Sequence, residues 1–355
     1  MAENALLKKL GIVHPIIQAP MGGGFTPPEL VAAASNAGAL GSLGAPYLAP
    51  AQIAEAVAQI RQLTGKPFNV NLFSGGYATK SAIDPAPMLA LLGEIHAGYG
   101  LPPPQLPPLP VSPFPAQLDA VLEARPAVFS FTFGIPQADA IARLKARGIL
   151  IFGTATTVEE GRLLQAAGAD AVVAQGAEAG AHRGTFTVPF EQAMLPTLEL
   201  VRGIVAAVKI PVIASGGLMD GRDIAAALRA GAIAAQLGTA FLPCPEAGTP
   251  AAHKQALLAA RRDTTVITRA FSGRHARGLA NEFIARFAGK ENIILPFRQQ
   301  NDLTRPMRTE AAKRGDAGNL SLWAGTGVVR SRAMPAAELV RVLVEEMQAA
   351  MRAAS

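Results

Sequence analysis

Short apolar runs alternate with longer amphipathic stretches along most of the chain. Runs of four to six apolar residues bounded by turn residues are typical of buried parallel strands. They predict eight strands, at residues 16–21, 40–43, 68–73, 128–133, 149–154, 171–175, 211–215 and 234–238. Stretches with helical periodicity lie between them, for example residues 50–63, 137–147, 158–167 and 220–230. Eight strands joined by crossover helices predict an α/β protein with a TIM (β/α)₈ barrel.

Two segments depart from this alternation. Residues 75–115 contain Pro-rich runs such as Leu101-Pro102-Pro103-Pro104, which cannot form regular helix or strand. We interpret them as an insertion after strand 3, over the mouth of the barrel. After residue 241 the pattern loosens, with one clear helix at residues 335–351. We expect the barrel over residues 1–245, and a C-terminal extension over 246–355 that packs on the barrel and helps to cover the active site.

The turn after the first strand predicts how the first barrel helix begins. Two prolines and Glu29 open an Ala-rich stretch, which favours a helix start there. Thr26 precedes them and is predicted to cap this helix, with Gly38 as its end.

Composition narrows the functional classes. Half of the 355 residues are hydrophobic, which allows a large buried core. The formal charge is +6, but the basic residues are scattered, so neither nucleic acid nor a membrane is predicted as a partner. The single cysteine, Cys244, excludes an intrachain disulfide and a cysteine-cluster metal site, and no metal is predicted. Neither a signal peptide nor a membrane span is evident, so a cytoplasmic location is expected.

Two glycine-containing strand ends predict a phosphate site. Active sites of TIM barrels lie at the carboxyl ends of the strands, and phosphate commonly binds after strands seven and eight. At these two positions the chain has Ser215-Gly216-Gly217 and Gln236-Leu237-Gly238-Thr239. Glycine lets backbone N–H groups approach phosphate oxygens, and the hydroxyls add donors. A mononucleotide is favoured over a dinucleotide because no G-x-G-x-x-G pattern occurs.

The segment that follows strand six carries the main catalytic candidate. It runs from Gln175 to Gly184, contains Gly180, and places His182 at the catalytic end of the barrel. An imidazole there can accept or donate a proton near neutral pH. For Glu178 and Arg183 we expect a local ion pair that braces the loop.

Strands one and three add groups suited to a flat heteroaromatic ring. Met21 and Gly22 follow strand one, offering a thioether for packing on a ring and room for close approach. Asn69 and Asn71 share one face of strand three. One amide is expected to bind a ring edge, as is that of Gln175, while the other asparagine braces the barrel.

Several of these segments together resemble class I nitronate monooxygenases, formerly called 2-nitropropane dioxygenases. They are QAPMGGG, PFNVNLF, QGAEAGAHRGTF, IPVIASGGLMDGRDIAAAL, QLGTAFLPCPE, FSGRHARGL and SLWAG, and they span nearly the whole chain. The resemblance implies an FMN-dependent oxidoreductase that converts alkyl nitronates such as propionate 3-nitronate, with O₂, to a carbonyl compound and nitrite. It implies His182 as the catalytic residue. It also implies FMN contacts from Met21, Gly22, Asn71, Gln175, Gly180, Gly217, Gln236, Gly238 and Thr239.

Three positions depart from the pattern expected of that family. Ala181 stands where a second glycine is expected before the histidine, Phe297 where similar enzymes offer a tyrosine, and Thr326 where glutamine is expected after Trp-Ala-Gly. These departures bear on substrate preference more than on the cofactor.

Other functions remain open on sequence alone. The nearest is an FMN-dependent NAD(P)H:quinone reductase or enoyl-thioester reductase on the same barrel. A protein like IMP dehydrogenase would need a cysteine in the strand-six loop, which Cys244 does not supply. A catalytically silent binder of a phosphate ligand is a third alternative. The sequence does not indicate the oligomeric state.

Overall fold

Eight parallel strands form the centre of the protein in a computed structural model that describes residues 5–77, 80–109 and 111–353. The strands are β1 (Ile16–Gln18), β2 (Gly41–Gly44), β3 (Phe68–Phe73), β4 (Val128–Thr132), β5 (Leu150–Ala155), β6 (Ala171–Gln175), β8 (Val212–Ser215) and β9 (Ala234–Leu237). Their order is β1-β9-β8-β6-β5-β4-β3-β2. A parallel bridge between Ile17 and Leu40 joins β1 to β2, so the sheet closes on itself. The predicted TIM barrel is confirmed.

Apolar side chains fill both sides of this sheet. One cluster inside the barrel includes Ile17, Phe152 and Val173 and the first residues of several strands. Leu10, at the end of the short helix α1 (Ala5–Leu10), belongs to the same cluster and closes the amino end of the barrel. Because that end is filled with apolar side chains, only the carboxyl ends of the strands are left for a polar site.

Eight helices surround the barrel. They are α2 (Pro28–Asn36), α3 (Pro50–Leu63), α5 (Phe114–Ala124), α6 (Ala138–Ala146), α7 (Val158–Ala166), α8 (Thr197–Ala207), α9 (Gly221–Arg229) and α13 (Ala336–Arg352). The last of them packs against α9 and α2, so the C-terminal helix occupies the eighth position of the ring. None of the described helices is both long and apolar enough to cross a lipid bilayer.

The predicted N-cap of α2 is wrong. The helix begins one residue later than expected, and its N-cap is Pro27, whose side chain cannot accept a hydrogen bond. The hydroxyl of Thr26 instead donates to the Met21 carbonyl at 3.2 Å and accepts from the Gly44 amide at 2.8 Å. Thr26 therefore joins the segment that follows β1 to the last residue of β2 rather than capping a helix.

The insertion after β3 contains a helix that the sequence pattern did not reveal. It is α4 (Ala86–Tyr99), and the Pro-rich stretch that follows has no regular structure. Two hydrogen bonds hold this stretch: Gln299 donates to the Pro107 carbonyl at 2.8 Å, and Nδ1 of His96 lies 2.7 Å from the Pro102 carbonyl. The prolines therefore run along α4 and the C-terminal part of the chain. Residues 78, 79 and 110 of the insertion lie outside the described residues.

Beyond β9 the chain builds a layer over the barrel mouth. It contains α10 (Ala251–Ala259), α11 (Glu282–Ala285), α12 (Gln299–Arg314) and two strands, β10 (Thr265–Thr268) and β11 (Ala276–Leu279). The two strands form a small antiparallel sheet with β7 (Ala181–His182), in the order β10-β11-β7. A division at residue 245 stays a prediction, and the chain returns to the barrel at α13.

Candidate active site

A cavity of about 560 Å³ opens at the carboxyl ends of the barrel strands, between the barrel and the C-terminal layer. This volume is typical of small-molecule sites. Twelve of the thirteen predicted site residues line it: Met21, Gly22, Asn71, Gln175, Gly180, His182, Ser215, Gly216, Gly217, Gln236, Gly238 and Thr239. Leu237 is the exception, because its side chain is 1% exposed and packs in the main core. Its carbonyl accepts a hydrogen bond from the Ala19 amide at 2.9 Å.

His182 is positioned by three parts of the chain. Its backbone pairs with Ala276 of β11. The Gln175 amide donates to the His182 carbonyl at 3.0 Å and accepts from the Gly184 amide at 2.7 Å. The imidazole Nε2 lies 2.9 Å from the hydroxyl oxygen of Ser272. The Gln175 side chain therefore holds the histidine loop in addition to lining the cavity.

The Ser272 hydroxyl lies between the His182 imidazole and the Arg274 backbone. Its oxygen also lies 3.1 Å from the Arg274 carbonyl, which can only accept a hydrogen bond. When the single hydroxyl hydrogen bonds that carbonyl, the oxygen accepts from Nε2–H of His182, and Nδ1 is then the unprotonated nitrogen.

Aromatic rings surround the imidazole and keep it neutral. The ring centroids of Phe73, Phe133, Phe297 and Trp323 lie 5.7–6.3 Å from that of His182. Burial among them, followed by the positive charges of Arg274 and Arg308, lowers the pKa of His182 to about 3. The free enzyme therefore presents a neutral imidazole at physiological pH.

The turn after β8 has the shape of an anion cradle. Gly216 and Gly217 have φ angles of +127° and +69°, which suit glycine. A methyl group at Gly217 would lie 2.7 Å from Cβ of Glu178, so a side chain could enter only if the backbone moved. The adjacent helix α9 is capped by its own Asp220, whereas the turn and the Ser215 and Thr239 hydroxyls line the cavity and could hold a phosphate.

Polar side chains around the rim could bind the edge of a flat heterocycle. The Asn71 amide donates to the Ser130 hydroxyl at 2.9 Å, and its oxygen can accept from a ligand. The Gln236 amide donates to Ser215 at 3.4 Å in the same way. Asn69 also donates to Ser130, at 2.9 Å, but is buried and does not line the cavity.

These residues fit a flavin mononucleotide. The cavity has a glycine turn with hydroxyls for a phosphate, two side-chain amides for the polar edge of the ring, and the Met21 thioether. In the described part of the chain its lining includes three cations, Arg305, Arg308 and Lys313, and no carboxylate. An anionic cofactor therefore meets no like charge on these walls.

Glu178 and Arg183 brace the loop separately rather than as the expected ion pair. The Glu178 carboxylate accepts from the Thr197 amide and hydroxyl at 2.8 and 2.7 Å. The Arg183 guanidinium, buried beneath the loop, donates to three backbone carbonyls, those of Gln175, Gly176 and Ala193. Each side chain thus satisfies backbone groups that the irregular loop leaves without partners.

The three departures from the family pattern all lie in or beside the site. Ala181 has φ +59°, a conformation that favours glycine, which explains the glycine expected there. Phe297 is buried beside His182 with Phe73 and Phe133. Thr326 lies against the phosphate turn, since its hydroxyl would be 3.2 Å from a methyl group at Gly217.

Several lining residues were missed by the sequence analysis. Tyr47 follows β2 and brings a phenol to the cavity, and α12 forms a wall with Asn301, Arg305 and Arg308. Ser272, which contacts His182, lies within the FSGRHARGL motif but carried no predicted role. A single serine in a loop forms no pattern from which a contact with His182 could be predicted. The polar residues that recur at helical spacing in α12 did offer a signal, because they indicate a polar helix face.

The chain matches known proteins over nearly its whole length. A family model for nitronate monooxygenase matches residues 3–346. A nitronate monooxygenase of Pseudomonas aeruginosa is 45% identical over 343 residues, covering 96% of this chain and 97% of that protein. One of Paraburkholderia phytofirmans is 42% identical, covering 98% and 95%.

Solved structures agree. A nitroalkane oxidase from Streptomyces ansochromogenes superposes with a TM-score of 0.92 at 41% identity, covering 99% of this chain and all of the other. FabK from Thermotoga maritima gives a TM-score of 0.78 at 27% identity, covering 100% of this chain and 99% of the other. With the cavity, these similarities show that the chain belongs to the nitronate monooxygenase family of flavin-dependent oxidoreductases.

Proposed function

We propose that this protein binds FMN and oxidises alkyl nitronates, such as propionate 3-nitronate, with O₂ to a carbonyl compound and nitrite. The observation that carries the proposal is the neutral imidazole of His182, enclosed by aromatic rings on the wall of a cavity that no carboxylate of the described residues lines. Such a pocket favours a small anionic substrate beside an unprotonated ring nitrogen.

The phosphate of the cofactor would bind the Gly216–Gly217 turn and the hydroxyls of Ser215 and Thr239. Asn71 and Gln236 would meet the polar edge of the ring, and Met21 and Gly22 would contact its flat surface, with Gly180 and Gly238 giving close backbone approach. When bound, the flavin supplies a one-electron acceptor for the substrate. The protein supplies position, exclusion of water and proton transfer.

His182 has a different task for each form of substrate. With a neutral nitroalkane, its unprotonated Nδ1 removes the α-proton, and Ser272 holds the ring in the tautomer that makes this nitrogen basic. With a nitronate the carbon is already deprotonated, so no proton is removed, and the imidazole only helps to position the anion. The aromatic shell of Phe73, Phe133 and Trp323 keeps water from competing.

Anaerobic stopped-flow absorbance tests this proposal. The flavin-loaded protein is mixed separately with propionate 3-nitronate and with NADH. We expect the nitronate to reduce the flavin and NADH to have little effect on the same time scale. Rapid bleaching by NADH with no reaction of the nitronate would reject the proposal.

That contrary result would favour the second candidate, an FMN-dependent NAD(P)H:quinone or enoyl-thioester reductase. The similarity to FabK, at 27% identity across the whole chain, is the observation that supports it. Steady-state NADH oxidation with a quinone and with an enoyl thioester would distinguish the two reductase types.

A further inference from the structure

One face of α12 forms a wall of the cavity. The lining residues Asn301, Arg305, Arg308, Thr309, Ala312 and Lys313 recur at helical spacing. The opposite face buries Leu303, Met307 and Ala311 in the C-terminal layer. Because that apolar face fixes the rotation of the helix, the cations on the cavity side are held there by the packing.

The three cations on this wall differ in their surroundings. Lys313 pairs with Glu310 at 3.4 Å, and Arg305 is exposed at the rim. Arg308 lies deeper, and among the described residues no carboxylate pairs with it. The nearby Asp302 is bonded to Arg298 at 3.0 Å.

The guanidinium of Arg308 is only partly satisfied by the protein. Its Nη2 donates to the backbone oxygen and side-chain oxygen of Asn301 at 2.7 and 3.0 Å. Its buried Nε atom has no hydrogen-bond partner in the described residues. Burial lowers the pKa of Arg308 to about 10, so the group remains charged at neutral pH. An enclosed cation without an acid partner is costly, and an anionic ligand would offset the cost.

The position of Arg308 assigns that ligand to the substrate rather than to the phosphate of the cofactor. The positive charge of Arg308 acts to lower the pKa of both Tyr47 and His182. The guanidinium therefore lies near these two residues, at the reacting end of the cavity. Tyr47 follows β2, whereas the Gly216–Gly217 turn follows β8, three strands away around the closed sheet. The phosphate turn also has its own donors.

We propose that Arg308 binds a carboxylate on the substrate, and that it makes the enzyme select nitronates that carry a carboxylate over simple alkyl nitronates. This inference rests on the proposed nitronate oxidation. A guanidinium holds a carboxylate through two parallel N–H···O bonds, which gives direction as well as charge. The nitronate carbon then lies beside His182 because the other end of the molecule is held.

Kinetics of an Arg308→Gln variant test the selectivity. The measured quantity is kcat/KM for propionate 3-nitronate and for ethyl nitronate, which lacks the carboxylate. We expect the first value to fall about ten- to a hundredfold, the usual effect of losing a charged hydrogen bond, and the second by no more than about fivefold. An equal loss for both substrates, or none for either, would overturn the inference.

Two further variants guard against simpler explanations. Arg305→Gln makes the same charge change one turn earlier, at the exposed rim, and should affect the two substrates alike. Arg308→Lys keeps the charge but not the paired geometry, and should give a smaller loss that is still specific for the carboxylated substrate. It also serves if the Gln variant fails to fold. A selective loss as large in Arg305→Gln as in Arg308→Gln would count against Arg308.

A binding measurement separates failure of this inference from failure of the proposed function. Succinate has the chain length of propionate 3-nitronate with a carboxylate in place of the nitronate, and butyrate lacks the second charge. Each is titrated into the flavin-loaded protein by the change in flavin absorbance. Succinate should bind the wild type at least about tenfold more tightly than butyrate, and Arg308→Gln should remove the difference. If no nitronate is oxidised but this difference is found, the anion site stands and only the reaction is wrong; equal binding of the two acids rejects the anion site.

Discussion

Nε2 of His182 and the hydroxyl oxygen of Ser272 lie 2.9 Å apart, although 90 residues separate them in the chain. Ser272 is 1% exposed and is held by the Arg274 backbone on its other side. We expect Ser272→Ala to lower kcat for nitroethane about two- to tenfold, because one neutral hydrogen bond sets the tautomer of the base. With preformed ethyl nitronate, where no proton is removed, kcat should change less. Equal losses for both substrates would contradict a role in the tautomer.

Removal of the imidazole should separate the two substrate forms more strongly. We expect His182→Asn to retain flavin and to lose activity toward neutral nitroethane by about 10²- to 10⁴-fold, the usual contribution of a general base. Oxidation of preformed ethyl nitronate should fall much less. Flavin content, read from the visible spectrum, is the control for folding. Full nitroethane activity in this variant would reject His182 as the base.

The lowered pKa of His182 has a consequence for the pH profile. Burial, Arg274 and Arg308 lower it to about 3, so the imidazole is neutral throughout the range from pH 5 to 8. We therefore expect kcat/KM for preformed ethyl nitronate to show no ionisation of a histidine in this range. A profile that falls above about pH 6.5, the ordinary histidine value, would mean that the protonated form is required.

Two buried histidines, His182 and His253, should make the fold less stable in acid. Burial lowers the pKa of His182 to about 3 and, with a smaller opposing effect of the Trp323 carbonyl, that of His253 to about 4. Both are about 6.5 in the unfolded chain, which therefore binds more protons below pH 6.5. The stability that these two neutral histidines contribute should be fully present above pH 6.5. The free energy of unfolding should fall as the pH drops from 6.5 towards 4, by about 1–2 kcal/mol per histidine at pH 5.

Urea unfolding at pH 7.5 and pH 5.0 measures this loss. A variant with both His182→Asn and His253→Asn is the control, since it removes the two groups that gain protons on unfolding. Its stability should differ less between the two pH values than that of the wild type. An unchanged difference would assign the acid sensitivity to carboxylates elsewhere.

Ala181 offers a stabilising substitution beside the catalytic histidine. Its φ of +59° costs an L-residue about 1–2 kcal/mol, part of which glycine would recover. We expect Ala181→Gly to raise the unfolding free energy by about 0.5–1 kcal/mol, measured by urea unfolding. Ala179→Gly, two residues earlier and buried without a positive φ, is the matched control and should be destabilising. A loss of stability in both variants would show that the strain at Ala181 is relieved in another way.

The phosphate turn can be tested through flavin affinity. Gly217→Ala places a methyl group 2.7 Å from Cβ of Glu178 at a φ of +69°, so the turn must move. We expect a loss of FMN affinity of at least about tenfold, the effect of about one charged hydrogen bond. Gly315→Ala has the same φ of +69° and no neighbouring atom within 4 Å, so it matches the backbone strain without touching the site. Fluorescence titration of the flavin-free protein with FMN measures the affinity of both variants. Equal affinities would mean that the turn does not bind the phosphate.

The barrel and one side of its site could be predicted from local sequence. Residues 68–73 alternate apolar side chains with two asparagines, residues 171–175 are mostly apolar, and both are strands with those bounds. The glycine-containing turn after β8 and the loop around His182 are continuous segments, so their chemistry is visible in a few adjacent letters. A barrel brings all strand ends to one rim, which explains why the predicted residues at the ends of five strands meet in one cavity.

The other side of the site depends on contacts between distant segments. Arg308 reaches the cavity only because Leu303 and Met307 turn α12 toward the barrel, and Ser272 meets His182 only through the β7–β11 pairing. The low pKa of His182 arises from rings at Phe73, Phe133, Phe297 and Trp323, which no local pattern connects. Thr26 shows the opposite error, in which a local pattern predicts a role that the fold does not use. Threonine is suited to capping a helix, but this threonine forms hydrogen bonds near two strand ends instead.

The position of α13 after all the barrel strands sets the order of assembly during translation. The eight strands are synthesised before residue 240, yet the ring of helices lacks its eighth member until residues 336–352 are made. β11, which pairs with the histidine strand, is also synthesised late. A nascent chain that stops before residue 276 would therefore carry an open barrel with an unpositioned imidazole, and the site would be completed only after all the barrel strands have been made.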